Sequence, residues 1–153
     1  MKPGAPCFVF DIDGTIADIS HRLHLIDHRD YNATTPKQWD EFFARMVDDK
    51  PIEHMRVLVD TLSLTYPVLL CTGRGEENRE QTVEWLKRHR FNFFELFMRP
   101  AGDFRQDDVV KSELLDRMLA EGYAPMLVFE DRARVVKMWR SRGIPCAQVA
   151  EAE

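Results

Sequence analysis

The chain has 153 residues, which suits one domain, and its 44% of hydrophobic residues, including ten Phe and three Trp, exclude a disordered chain. A formal net charge of −5 argues against coating nucleic acid by bulk charge, but not against a local basic pocket for one phosphate. No apolar run approaches the roughly 20 residues of a membrane-spanning helix, and the polar start Met1–Gly4 does not resemble a signal peptide.

Short apolar runs predict five strands. In chain order these are Cys7–Phe10, Val68–Cys71, Glu95–Met98, Met126–Phe129 and a weaker run around Ile144–Val149. Continuous apolar runs of this length are typical of strands that are buried on both faces, as in a parallel sheet.

Between these runs, apolar residues recur at helical spacing. The stripes are Met55-Leu58-Val59-Leu62, Val83-Leu86, Val109-Leu114-Leu115-Met118-Leu119 and Val135-Val136-Met138-Trp139. Gly143 follows the last stripe and predicts a left-handed cap that ends this helix. Strands that alternate with helices predict an α/β fold, with a Rossmann-like parallel sheet and flanking helices, in a single domain over residues 1–153.

The stretch at about residues 18–52 interrupts this alternation and predicts a small helical cap inserted into the domain. Thr34-Thr35-Pro36 is a helix-start signal, and the residues after it continue at helical spacing. Three aromatic residues of this helix, Trp39, Phe42 and Phe43, favour core packing over the alternative of stacking on a base.

Two further segments look like solvent-exposed structure. Asp48-Asp49-Lys50 reads as a solvated turn before Pro51, and the tail Glu151-Ala152-Glu153 reads as frayed. His21, His24 and His28, with Asp27 and Asp30, favour a solvated face over a metal site. The three cysteines, Cys7, Cys71 and Cys146, are odd in number and form no C-x-x-C pair, so we expect reduced packing residues in a cytoplasmic protein.

Polar side chains follow three of the predicted strands directly. The segments are Asp11-Ile12-Asp13-Gly14-Thr15, Thr72-Gly73-Arg74 and Glu130-Asp131-Arg132. Any single Asp after a strand could be a helix N-cap. Ligands of open parallel sheets bind beyond the carboxyl ends of the strands, so three such segments together predict one site at this edge.

The spacing of the acids suggests a chemistry. Alternate residues of an extended segment face the same side, so Asp11 could attack as a nucleophile while Asp13 donates and later accepts a proton. The oxygen ligands Asp11, the Asp13 carbonyl and Asp131 suit Mg²⁺. Lys111, on a predicted helix, and Thr72 would neutralise and orient the phosphoryl oxygens.

At these residues the chain resembles the haloacid dehalogenase-like (HAD) phosphohydrolases. Phe10–Thr15 is similar to their first motif, and Thr72, Lys111 and Glu130-Asp131 match the second, third and fourth motifs in order. The resemblance implies an aspartyl-phosphate on Asp11, acid–base work by Asp13, and Mg²⁺ held partly by Glu130 and Asp131.

A closer resemblance, to the phosphatase domain of phage polynucleotide kinase–phosphatases, covers most of the C-terminal third. It is carried by Arg99–Lys111, Glu130–Arg132, Val135–Arg140 and Gly143–Ala150. It implies removal of 3′-phosphates from polynucleotide ends, with Arg22, Arg74, Arg99 and Gly73 as substrate-binding residues, because the arginine fork can bind two phosphate oxygens. Asp107-Asp108 begins a helix, and an N-cap and a place in the site stay equally open.

The chain departs from that family in three ways. It contains no P-loop, so ATP-dependent phosphorylation is not expected of it; it has Glu130 where the family commonly has Asp; and its insertion looks longer. The expected partner is a phosphorylated nucleic-acid end or a nucleotide, with the oligomeric state open. The alternatives are a nucleotidase that hydrolyses free nucleoside monophosphates and, more remotely, an inactive phosphate-binding module.

Overall fold

The structure, a computed structural model, describes residues 4–27 and 33–152. In chain order its strands are β1 (Ala5–Phe10), β2 (Ala17–Asp18), β3 (Lys50–Pro51), β4 (Val68–Gly75), β5 (Glu95–Arg99), β6 (Tyr123–Arg132) and β7 (Cys146–Ala152). Its α-helices are α1 (Pro36–Ala44), α2 (Glu53–Ser63), α3 (Arg79–Arg88), α4 (Asp107–Ala120) and α5 (Ala133–Ser141).

Five strands form a parallel sheet in the order β5-β4-β1-β6-β7, which confirms the predicted fold class. The chain leaves the central strand β1 toward β4 and β5 and later returns to its other side as β6 and β7. The direction of winding therefore reverses at β1. In such sheets this reversal opens a crevice at the carboxyl ends of the strands, where ligands bind.

Helices cover both faces of the sheet because successive strand residues point to opposite sides. Cys7 and Val9 of β1 belong to a buried cluster with α4 and α5, whereas Phe10 belongs to a second cluster with α2 and α3. The predicted stripes supply the buried residues of these helices, such as Val59 and Trp139. Gly143 follows α5 with φ +79°, which confirms the predicted left-handed cap.

The insertion begins and ends on a short antiparallel pair, in which Ala17 faces Pro51 and Asp18 faces Lys50. Its main helix is α1, and short 3₁₀ helices lie on either side of it at Leu23–Leu25 and Arg45–Asp48. Thr35 caps α1 as the sequence predicts: the Gln38 backbone N–H donates to its hydroxyl at 3.2 Å, and its own N–H donates to the Gln38 side chain at 2.8 Å.

The end of the chain differs from the sequence prediction. β7 continues to Ala152, which pairs with Arg132, so the expectation of a frayed tail is wrong for Glu151 and Ala152. The backbone ladder to the long strand β6 holds them in place although their side chains are polar and small. The three cysteines are buried and free of disulfides. Among the described residues, no helix has the length and apolar character needed to cross a bilayer.

Candidate active site

The carboxyl ends of β1, β4 and β6 bring most of the predicted residues to one cavity of about 1600 Å³. Asp11 follows β1 directly. Gly73 and Arg74 lie near the end of β4, and Glu130 and Asp131 lie near the end of β6. The structure therefore brings these side chains together at the carboxyl edge of the sheet. Helix α4 adds Lys111 to the lining, and helix α1 of the insertion contributes further lining residues.

Asp11 is buried and held in one orientation. One carboxylate oxygen accepts from the Thr15 hydroxyl at 3.1 Å, and the other accepts from Lys111 Nζ at 2.7 Å. Lys111 also donates to Glu130 at 2.8 Å. Burial alone would lower the pKa of Lys111, but the carboxylates of Asp11 and Glu130 outweigh it and hold that pKa well above its usual value. The ammonium group stays charged beside the Asp11 carboxylate.

Asp11, Glu130 and Asp131 form an acidic cluster in which one ligand oxygen from each lies within 4.8 Å of the others. Burial, followed by repulsion from Asp11, raises the pKa of both Glu130 and Asp131. Oδ1 of Asp131 is buried without a hydrogen-bond partner, whereas Glu130 accepts from Lys111 and from the Asp131 backbone. Three carboxylates this close together, one of them with an oxygen that lacks a hydrogen-bond partner, fit a binding site for a hard divalent cation.

Asp13 is bound by two arginines. Arg74 donates to it from Nε at 3.1 Å and from Nη2 at 2.6 Å, and Arg22 donates from Nη2 at 2.8 Å. Burial would raise the pKa of Asp13, but the two guanidinium charges lower it far below its usual value. Both arginine side chains are fully buried. Arg74 lines the cavity, whereas Arg22 contacts it through Asp13, so their role in binding substrate stays a prediction.

A carboxylate that we predicted to be solvated balances these arginines. Asp49 is fully buried and accepts from Arg22 at 2.8 and 2.7 Å, from Arg74 at 3.4 Å, and from His21 at 2.7 Å. Trp85 of α3 donates to its backbone carbonyl. The expectation of a solvated turn is therefore wrong at Asp49. The burial of Asp49 could have been inferred, because two arginines assigned to a closed site require buried negative partners.

Arg99 has protein partners for four of its five N–H groups. It donates to the Gly73 carbonyl at 2.7 Å, to the carbonyls of Asp103 and Arg105 at 3.0 and 2.5 Å, and to the Asp107 carboxylate. It lines the cavity, yet most of its hydrogen-bonding capacity fixes the segment between β5 and α4.

Asp107 lies in the site and is not a helix N-cap, because Gln106 occupies the cap position of α4. Its carboxylate accepts from Arg99 and, at 2.5 Å, from Arg132. Gly73 is required here by close approach, since a side-chain carbon at that position would lie 2.6 Å from Asp107 Oδ1.

The remaining predicted residues are positioned by local structure. Thr72 is buried, and its hydroxyl oxygen accepts from the Arg74 backbone N–H at 3.1 Å. Gly14 has φ +80° and passes close to Asp131, which explains the tight turn after Asp13. In the histidine-rich segment, His21 pairs with Asp49, while His28 and Asp30 lie outside the described residues.

The fold is the one found in haloacid dehalogenase-like hydrolases. Such a hydrolase from Streptococcus pneumoniae superposes with a TM-score of 0.68 over 93% of this chain and 83% of its own, at 16% identity. The family model of the polynucleotide kinase PNKP phosphatase domain matches residues 5–153. The chain belongs to this family of phosphatase domains, which confirms the resemblance predicted from its motifs.

Individual proteins are also similar to this chain. A solved Pnkp1/Rnl/Hen1 RNA repair complex contains a chain that is 26% identical, with a TM-score of 0.76 over 99% of this chain and 44% of that one. A candidate bifunctional polynucleotide kinase/RNA ligase of Autographa californica nuclear polyhedrosis virus is 25% identical over 88% of this chain and 18% of its own length. Acid phosphatase 1 of Solanum lycopersicum is 29% identical over 78% and 48%. The chain thus spans less than half the length of these relatives.

Proposed function

We propose that this phosphatase domain is a divalent-metal-dependent polynucleotide 3′-phosphatase that forms an aspartyl-phosphate on Asp11. The observation that carries the proposal is that Asp11 contacts Lys111 and lies within the acidic cluster, while Asp13, bound by two buried arginines, lines the same cavity. Family membership supports the substrate class. The proposal includes one domain over residues 1–153, residues 18–52 as its cap, and a cytoplasmic location.

The residues have separate roles in the proposed reaction. Asp11 attacks the phosphorus, and its contacts with Thr15 and Lys111 fix the orientation of its carboxylate. Asp11, Asp131 and Glu130 would hold Mg²⁺, with Asp131 the stronger direct ligand because its Oδ1 has no other partner. The cation, when bound, neutralises developing charge on the phosphoryl oxygens. Lys111 and Thr72 supply further neutralisation and orientation.

Asp13 must carry a proton to act as the general acid, yet the two arginines keep it ionised at rest. A substrate phosphate that enters the cavity offers Arg22 and Arg74 an alternative anionic partner. As the arginines turn toward the phosphate, Asp13 loses their stabilisation and its pKa rises toward the range in which it can be protonated. Substrate binding would thereby prepare the acid that protonates the leaving oxygen.

Removal of divalent cations tests the metal proposal. We expect EDTA-treated enzyme to be inactive, Mg²⁺ to restore activity, and Ca²⁺ to substitute poorly because it prefers more ligands at longer distances. Asp131→Ala should raise the Mg²⁺ concentration for half-maximal activity more than Glu130→Gln does. Full activity of the EDTA-treated enzyme, or a larger shift in Glu130→Gln, would contradict the assignment.

A second candidate function is a nucleotidase for free nucleoside monophosphates. One observation favours it: helix α1 of the insertion lines the cavity and could enclose a small ligand.

The rates of hydrolysis of two substrates distinguish the two candidate functions. A 3′-phosphorylated oligonucleotide offers a second phosphate to the arginines, so its kcat/KM should exceed that of a nucleoside 3′-monophosphate by roughly ten- to a hundredfold. The preference should weaken with salt, at a slope equivalent to about one or two phosphates. Equal or faster turnover of mononucleotides at matched salt would favour the nucleotidase.

A further inference from the structure

Four aromatic residues line the cavity, and three of them, Trp39, Phe43 and Phe104, have no role in the chemistry described above. Trp39 and Phe43 lie one helical turn apart on α1, with their rings stacked at 5.7 Å between centroids and 18° between planes. Phe104, in the segment between β5 and α4, is 92% exposed. All three line the cavity that contains Asp11.

The α1 pair lies close to the proposed phosphate-binding groups. Phe42, between Trp39 and Phe43 in sequence, packs edge-on against both rings at 5.8 and 5.4 Å. Its own ring lies 4.1 Å below the Arg22 guanidinium, which binds Asp13. Phe42 is buried, and this residue fulfils the predicted core role, whereas Trp39 and Phe43 are half-buried. The Arg22 guanidinium and the Phe42 ring therefore lie between Asp13 and the two half-buried rings of Trp39 and Phe43.

The position of Phe104 is fixed even though its ring is exposed. A single nitrogen, Nη1 of Arg99, donates to the carbonyls of Asp103 and Arg105, the two residues on either side of Phe104. The same guanidinium also donates to Gly73, beside the phosphate-binding groups. A lone exposed aromatic residue needs no explanation by itself. Here the backbone on both sides is tied to the active site, which keeps Phe104 in the cavity lining.

We infer that Trp39, Phe43 and Phe104 form a base-stacking subsite for unpaired nucleobases at the 3′ end of the substrate strand. This inference rests on the proposed function and specifies its substrate: a single-stranded end whose terminal base is free to leave its neighbours. Every base has a π-face, so stacking on aromatic rings binds strands without selecting a sequence. The base next to the scissile phosphate is necessarily within one nucleotide of Arg22 and Arg74.

The test compares two 3′-phosphorylated oligonucleotides that differ only in whether the last nucleotides carry bases or are abasic. Phosphates and sugars are the same in both, so the ratio of their kcat/KM values reports on base contacts alone. We expect the wild-type ratio to be about tenfold or more in favour of the base-bearing strand. Trp39→Ala and Phe104→Ala should each move this ratio toward one, and Trp39→Phe should retain most of it.

Phe94→Ala is the matched control, because Phe94 is 62% exposed but lies outside the cavity lining. Its ratio should equal that of the wild type. Phe104→Ala removes almost no buried surface, so it tests the subsite even if Trp39→Ala does not fold. A wild-type ratio near one, or ratios unchanged in both alanine variants, overturns the subsite while 3′-phosphatase activity stands. Hydrolysis of mononucleotides but of neither strand overturns the proposed function, and the subsite with it.

Discussion

Asp11→Asn is expected to abolish turnover almost completely while the protein stays folded. The change removes the charged oxygen that would attack phosphorus, and loss of one member of a catalytic unit typically lowers kcat by on the order of 10⁴- to 10⁶-fold. Folding should survive because the amide has nearly the shape of the carboxylate and Lys111 keeps its contact with Glu130. The measurements are kcat on a 3′-phosphorylated oligonucleotide and the melting temperature of the variant.

Asp18→Asn is the control for this substitution, since Asp18 lines the same cavity but is exposed and lies outside the acidic cluster. It loses the same charge by the same isosteric change, and its kcat should remain within a few-fold of the wild-type value. The covalent mechanism would be refuted by a folded Asp11→Asn protein whose activity lies within about tenfold of wild type.

Asp49→Asn should cause the largest loss of stability among single isosteric changes at the site. Arg22 and Arg74 are buried, and each pairs with both Asp49 and Asp13. After the substitution, Asp13 is the one carboxylate of these two that still neutralises both guanidinium groups. Removal of one partner from a buried ion pair costs about 3–5 kcal/mol of unfolding free energy. Since a domain is stabilised by only about 5–15 kcal/mol in total, the melting temperature should fall markedly.

Activity should fall as well in Asp49→Asn, because the carboxylate positions both arginines. A charge-assisted hydrogen bond of about 1.5–3 kcal/mol corresponds to roughly ten- to a hundredfold in kcat/KM, measured where the variant is still folded. Asp48→Asn provides the control, since Asp48 is the next residue in the chain and its side chain is exposed. If Asp49→Asn and Asp48→Asn melt at the same temperature, Asp49 does not carry the role assigned to it.

The fold could be predicted from the sequence because its signals are local. Each strand of the main sheet coincides with an apolar run, and the helices follow stripes such as Met55 and Val59 that are buried as expected. Strand lengths were underestimated where polar residues continue the ladder, as at Thr72–Gly75 and Glu130–Arg132. There, pairing with neighbouring strands decides the conformation, and hydrophobic patterning carries no signal.

The convergence of the acids could be predicted because the carboxyl ends of parallel strands meet at one edge, whereas Lys111 lies on helix α4 and was singled out by its match to the third motif. The contacts of Asp49, Asp107 and Arg99 could not be predicted, since they depend on which long side chains meet in the closed site. Asp49 lies 27 residues from Arg22 in the chain, and its exposed neighbour Asp48 looks the same in sequence. Burial in three dimensions, which a charge pattern does not encode, distinguishes the two.

The antiparallel pair of β2 and β3 makes the insertion a closed loop whose entry and exit lie side by side. Arg22 follows the entry and Asp49 precedes the exit, so the elements that complete the catalytic centre stay next to the anchored ends. The intervening residues, 23–48, carry α1, and two of them, Phe42 and Met46, contact the buried arginines. Grafting segments of other lengths between these two anchors, with Phe42 and Met46 kept, should alter which strand ends are accepted without rebuilding the chemistry beneath them.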